Sequence, residues 1–346
     1  GGGGGGADSI RLSVSGTPDE LEVGMQLAHL LLTDPKIEEV AFDRWKTNQL
    51  ESIEAREKNP GQMFGKMTAD AIYPENEVRN KPLTKEMVDR LTRDVAQKWL
   101  NKLIAESPIE VGIVGDITKE RATELATKYM GSIPTRARID GNVYADKRKL
   151  QRPKGPRVVT NSMVTKTPTA NVLVGFYGPD SKNIADVRAM NMAARVLSSR
   201  MVQEVREKEQ LVYSISATCQ PGSAYPGFGL FRASAPTQPE KPDALAAKLA
   251  EMYATFAKDG PTDEEMAVAK GQFANSFDES MKEPAYWLGM VDSMTYDGRN
   301  MDDVLGAPAA AQAMTKEQVK AAFNKYFGKE NMVTVILKPV GEKESN

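Results

Sequence analysis

One pattern in this chain recurs at a steady offset, and that repetition limits the possible folds more than any other feature. Asp34-Pro35-Lys36-Ile37-Glu38-Glu39 matches the pattern of Gly260-Pro261-Thr262-Asp263-Glu264-Glu265. Leu83-Thr84-Lys85-Glu86-Met87-Val88 matches Met314-Thr315-Lys316-Glu317-Gln318-Val319, and Val111–Gly115 matches Val333–Leu337. Three matches in one order, each about 220–230 residues apart, point to a duplicated domain. The second copy has two strand-like runs and a long helix ahead of its matched region, whereas the first starts almost directly at the match. The expected organisation is therefore a Gly-rich linker or tag at 1–8, a first unit at 9–135 truncated at its start, a connector at 136–156, and a complete second unit at 157–346. A chain of 346 residues is long enough for two such units.

Local pattern fills in the units. Ile10 to Ser15 alternates apolar and polar residues as a strand, and Thr17 with Pro18 starts a helix carrying Leu21, Met25, Ala28 and Leu32. Further helices are expected from near Ile37 and over 62–72, 84–104 and 118–130, with a buried strand at Ile109–Gly115. After the connector, strands are expected at Arg157–Met163, Asn171–Tyr177, Val212–Cys219, Phe228–Ala235 and Met332–Lys338. A long helix at 183–206 presents Ile184, Val187, Met190, Ala194, Leu197 and Met201. Four more follow near 241–257, 262–281, 284–296 and 315–327. Gly1–Gly6 reads as a linker without fold content.

Residue counts narrow the chemistry. The only histidine is His29, so a His-x-x-Glu-His zinc motif cannot be present. There is no Gly-x-Ser-x-Gly elbow, no Walker loop and no Gly-x-Gly-x-x-Gly after a strand. A net charge of −2 argues against nucleic acid as a partner, and no apolar run reaches the roughly 20 residues that span a bilayer. The single cysteine, Cys219, forbids an intrachain disulfide, which suits a cytosolic chain or an exported one that needs no bridges. Cys219 reads as an apolar strand residue, His29 as a packed or boundary histidine, and Met190, Met192 and Met201 as core filler.

The most informative segment is Val205-Arg206-Glu207-Lys208-Glu209-Gln210-Leu211-Val212-Tyr213-Ser214-Ile215. An Arg, then Glu-Gln-Leu, then a Tyr seven residues after the Arg resembles the C-terminal-half motif of the pitrilysin, insulin-degrading-enzyme and mitochondrial-processing-peptidase family of zinc metallopeptidases. Ser15-Gly16-Thr17-Pro18-Asp19-Glu20-Leu21-Glu22 and Val114-Gly115-Asp116 are similar to strand–helix junctions of the same family. The resemblance runs over most of residues 9–340.

The resemblance implies an α+β fold: duplicated LuxS/MPP-like α/β units, each an antiparallel sheet packed against helices, the first truncated at its N-terminus. It implies that the chain is the non-catalytic, substrate-chamber half of a zinc metalloendopeptidase. Zinc would then lie in an N-terminal catalytic half or subunit, with no cofactor in this chain. The family's Arg and Tyr reach across the chamber to a peptide, and they carry over to Arg206 and Tyr213 as substrate-binding residues. Guanidinium and phenol can donate to a peptide carbonyl without reading side chains. Glu51 falls roughly where the family's distant zinc glutamate lies, but it lacks histidine partners and reads as a solvent-facing or ion-paired residue. The competing reading is a non-proteolytic scaffold or peptide-binding subunit of the same fold.

Overall fold

Threonine and asparagine set many of the helix starts. Asn59, Thr84, Thr92, Thr118, Asn183 and Thr315 each accept, through the side-chain oxygen, a backbone N–H two or three residues into the helix that follows. In the computed structural model, residues 2–5, 8–137, 144–165, 168–298 and 300–340 are described. Gly1, Gly6 and Ala7 of the expected linker, 138–143 of the expected connector and 341–346 of the expected second unit lie outside them.

Along the chain, strands β1 (Gly2–Gly5) and β2 (Ile10–Ser13) precede α1 (Leu21–Thr33), α2 (Glu39–Arg56), α3 (Pro60–Ile72), α4 (Lys85–Arg90), α5 (Arg93–Glu106), α6 (Lys119–Met130) and the short α7 (Ala145–Arg148). Strands β3 (Arg157–Val164) and β4 (Ala170–Gly178) lead into α8 (Ile184–Met201). After it come β5 (Ser216–Gln220), β6 (Gly229–Thr237), α9 (Pro242–Asp259), α10 (Asp263–Ser280), α11 (Pro284–Asp297), α12 (Met301–Leu305), α13 (Ala307–Ala313), α14 (Lys316–Tyr326) and β7 (Met332–Val340). The architecture is α+β.

The chain divides into two units, one of Gly1–Ile53, Leu83–Ala145 and Glu279–Arg299, the other of Glu54–Pro82, Asp146–Asp278 and Asn300–Asn346. In the first, Gly2–Gly5 pairs antiparallel with Ile10–Ser13, from Gly2 opposite Ser13 to Gly5 opposite Ile10. Helix α1 is tied to α6 by polar contacts. Glu22 accepts from Arg121, Lys128 and the Tyr129 hydroxyl, each at 2.7 Å. Gln97 on α5 holds the turn before α2, donating to the Pro35 carbonyl and accepting from the Ile37 N–H.

Three expectations fail in this unit. Gly2–Gly5, read as linker without fold content, forms strand β1. The strand at Ile109–Gly115 is absent: Ile109 and Val111 are exposed, and the segment has no strand neighbour. A β-favouring composition alone does not make a strand when no ladder accepts it. The helix expected over 84–104 is two helices. Leu91 and Thr92 take extended backbone, and Thr92 restarts the chain as the cap of α5.

The second unit is built on a five-stranded sheet of order β3-β7-β4-β6-β5. Strand β4 is buried almost throughout, because the sheet is covered on both faces. Val172, Val174 and Phe176 point into a core with α8, α9 and α14, where Met190, Leu197, Leu245, Tyr253 and Phe323 are fully buried. Leu173 and Tyr177 point the other way, to Met67, Ala71 and Ile72 of α3. The Tyr177 hydroxyl donates to the Ile72 carbonyl at 2.6 Å. The three methionines read as core filler, Met190, Met192 and Met201, are all buried.

Pairing in this sheet is antiparallel except between β3 and β7, which run parallel. The sheet is thus mixed where a wholly antiparallel one was expected. The cause is topological: β7 lies between β3 and β4, so the pair linked by residues 165–169 straddles a third strand and is not a simple hairpin. The edge strand β5 is closed off by α8. The Ser198 hydroxyl accepts the Ala217 N–H at 2.9 Å and faces the Ala217 carbonyl at 3.2 Å, occupying backbone groups that an added strand would need.

Candidate functional site

Arg206 and Tyr213 flank the junction between α8 and β5. The α8 hydrogen-bond ladder does not continue to 206 as expected; it widens into a π-turn over Val202–Lys208. Such turns insert an extra residue into a helix and re-aim the side chains beyond it. The Glu209 N–H donates to the Glu204 carbonyl at 3.0 Å, and the Leu211 N–H to the Val205 carbonyl at 2.9 Å. Between them Gln210 takes φ of 51°, the only positive φ of a non-glycine among the described residues. This left-handed backbone costs a residue with a Cβ about 1–2 kcal/mol.

Apolar anchors fix the elbow from below. Val205, Leu211, Val212 and Ile215 are buried in the main core of the second unit. With these neighbours turned into the core, Arg206 and Tyr213 are left on the outside. Tyr213 is 86% exposed, and the Arg206 guanidinium carbon lies 5.7 Å from its ring centroid. The structure therefore brings the two sequence-derived site residues together, with the cation over the aromatic face.

Charges around the pair are largely matched. Glu204 pairs with Lys208 at 2.6 Å, and that hydrogen bond holds its carboxyl below the ordinary value. Glu209 pairs with Lys248 of α9 at 2.8 Å, which raises the lysine. Two further side chains reach the elbow from the end of β6 and the start of α9. The buried Thr237 hydroxyl donates to the Leu211 carbonyl at 2.6 Å, and Lys241 donates to the Gln210 carbonyl at 3.2 Å. None of Thr237, Lys241 or Lys248 was singled out from sequence. They lie some 30 residues from the motif, and no spacing rule links them to it.

His29 Nδ1 donates to the Tyr129 carbonyl, and Glu51 lies exposed on α2. Burial pushes the Cys219 thiol up to about 12, which leaves it un-ionised at neutral pH. Zinc needs three or four convergent His, Cys or carboxylate ligands. Among the described residues no group of three or more His, Cys, Asp or Glu converges, so the residues present do not fit zinc. An open groove of about 650 Å³ beside α10 has its lysines engaged, Lys270 with the Gln312 carbonyl and Lys316 with Asp263. Among the described residues no helix is long and apolar enough to cross a membrane.

Comparison with known proteins gives the family and the fold. Residues 90–273, just over half of the chain, match the family described as the peptidase M16 inactive domain. An uncharacterized zinc protease of Streptomyces coelicolor is 23% identical over 338 residues, covering 94% of this chain and 71% of that protein. The solved peptidase M16 inactive domain from Pseudomonas fluorescens superposes with a TM-score of 0.76 at 21% identity, over 94% of this chain and 77% of that one. The periplasmic protease PqqL from Escherichia coli superposes with a TM-score of 0.70 at 20% identity, and this chain spans 35% of its length. The two solved structures agree in fold with this chain.

Proposed function

The chain belongs to the peptidase M16 inactive-domain family, and from that premise we propose that it holds peptide substrate for a zinc-bearing half or subunit, on the same or a separate chain. It is the non-catalytic half of a zinc-protease-like protein. The observation that carries the substrate role is the outward-facing Arg206–Tyr213 pair on an otherwise internally satisfied elbow. A guanidinium offers several N–H donors and a phenol one, and all of them match main-chain carbonyls. Side-chain identity in the substrate would matter little to such contacts.

Zinc in the partner half would polarise the scissile carbonyl and its attacking water. The residues of this chain would orient the peptide. Arg206 and Tyr213 would donate to its carbonyl oxygens and support negative charge as it develops. The test is made in the full protease. Arg206→Ala or Tyr213→Phe is expected to lower kcat more than it raises KM, by about 30- to 1000-fold, equivalent to roughly 2–4 kcal/mol. Thermal stability should stay unchanged, because neither side chain packs in the core. Full peptidase activity combined with lower stability in both variants would make the pair structural and overturn the reading.

A further inference from the structure

We propose that Thr237 is a positioning residue for the Arg206–Tyr213 pair, acting as the buried point of a clamp that the β6–α9 segment closes on the elbow between them. The inference rests on the reading of that pair as a peptide-binding fork. Three consecutive elbow residues are each held by a side chain from one short stretch of chain. Glu209 is held through its carboxylate by Lys248, Gln210 through its carbonyl by Lys241, and Leu211 through its carbonyl by Thr237. Only the Thr237 contact is buried, with its hydroxyl 2.6 Å from the carbonyl oxygen.

A simple helix-to-strand connection needs none of this. A glycine in the left-handed position and an unbroken α-helical ladder would make the same turn at lower cost. The chain instead combines a π-turn with a left-handed glutamine, and such backbone persists only where its surroundings over-determine it. The consequence is geometric. Arg206 lies before the elbow and Tyr213 after it, so the spacing between guanidinium and ring is set by the path through residues 209–211. Without the Thr237 hydroxyl, the Leu211 carbonyl loses its buried partner, and relaxing the elbow restores hydration at the expense of that spacing.

The experiment reads the pair directly in the 346-residue chain. The Arg206 Nε–H resonance, identified by its loss in Arg206→Lys, is expected to be displaced by the Tyr213 ring, with Tyr213→Leu marking its undisplaced position. Thr237→Val is expected to move the resonance to the Tyr213→Leu position, and Thr237→Ser to leave it at the wild-type position. In the full protease, Thr237→Val should lower kcat roughly 10- to 100-fold with KM little changed. A resonance that stays at its wild-type position in Thr237→Val, whatever the melting temperature, overturns the proposal. So does coincidence of the wild-type and Tyr213→Leu positions. If Thr237→Val does not fold, the double variant Lys241→Met/Lys248→Met, altered on the solvent side of the clamp, is read by the same criterion. If Thr237→Val displaces the pair while Arg206→Ala and Tyr213→Phe keep full kcat, the clamp stands and the peptide-binding reading falls.

Discussion

Arg200 on α8 grips Glu265 on α10 through two parallel contacts, Nε to Oε1 at 2.5 Å and Nη2 to Oε2 at 2.7 Å. The same guanidinium lies over the Phe256 ring and donates to the Gly260 carbonyl at 2.8 Å. One residue thus joins α8, the end of α9 and the start of α10. Gly260, at φ of 76°, makes the turn that brings its carbonyl within reach.

Arg200→Met should therefore destabilise the fold by about 1.5–3 kcal/mol, the range for hydrogen bonds to charged groups. Urea denaturation should show a lower midpoint at unchanged slope. Burial alone would raise the Glu265 carboxyl. Arg200 and the Thr262 N–H outweigh it and hold the carboxyl below its ordinary value. A depressed acid stabilises above its unfolded pKa, about 4.3, and loses that contribution as pH falls through its folded pKa. The gap between wild type and Arg200→Met should accordingly narrow in acid. A gap independent of pH would mean that the ion pair contributes nothing.

Glu22 makes a separate pH prediction for the first unit. Hydrogen bonds from Lys128, then Tyr129 and Arg121, lower its carboxyl to about 2. Its tie between α1 and α6 should be complete above about pH 4.3 and disappear as pH falls toward 2. A carboxyl-carbon NMR titration should place Glu22 well below the other glutamates, and Glu22→Gln should remove that part of the acid dependence. A Glu22 carboxyl titrating with the exposed glutamates would show that the tie does not form.

Phe323 tests the core. Its ring is fully buried and lies within 4.7–5.6 Å, centroid to centroid, of Phe176, Phe231, Phe256 and Phe327. Phe323→Ala should cost about 3–5 kcal/mol, from lost burial and the cavity left behind. Thermal unfolding measures it. A loss below about 1 kcal/mol would mean that the cluster repacks around the gap.

Most elements were legible because their signals are local. The apolar strand-like run Asn171–Tyr177 and the Thr-Lys-Glu helix starts mark β4, the beginning of α4, and α14 within a residue or two. The segment Val111–Gly115 misled because strand formation depends on a neighbour, and sequence pattern does not report one. The π-turn was hidden for a different reason. Val202–Lys208 has ordinary helical composition, so nothing in it separates an i→i+5 ladder from an i→i+4 one. Arg206 and Tyr213 were legible as a motif, and their proximity now gives that motif a geometry. Thr237 was not legible, because a hydroxyl 26 residues beyond Leu211 carries no mark of the carbonyl it meets.

The place of β7 in the sheet governs how the second unit can be made. Met332–Val340 fills the slot between β3 and β4, pairing with both, although those two strands precede it by more than 150 residues. During synthesis, β3 and β4 leave the ribosome with that slot open, each presenting unpaired backbone to whatever strand comes near. The sheet cannot close while translation is still upstream of residue 332. Its central registry is then set by contacts of very long sequence separation, the kind that slow folding and lengthen exposure to aggregation. A nascent chain of this design carries that open slot until its late strand arrives.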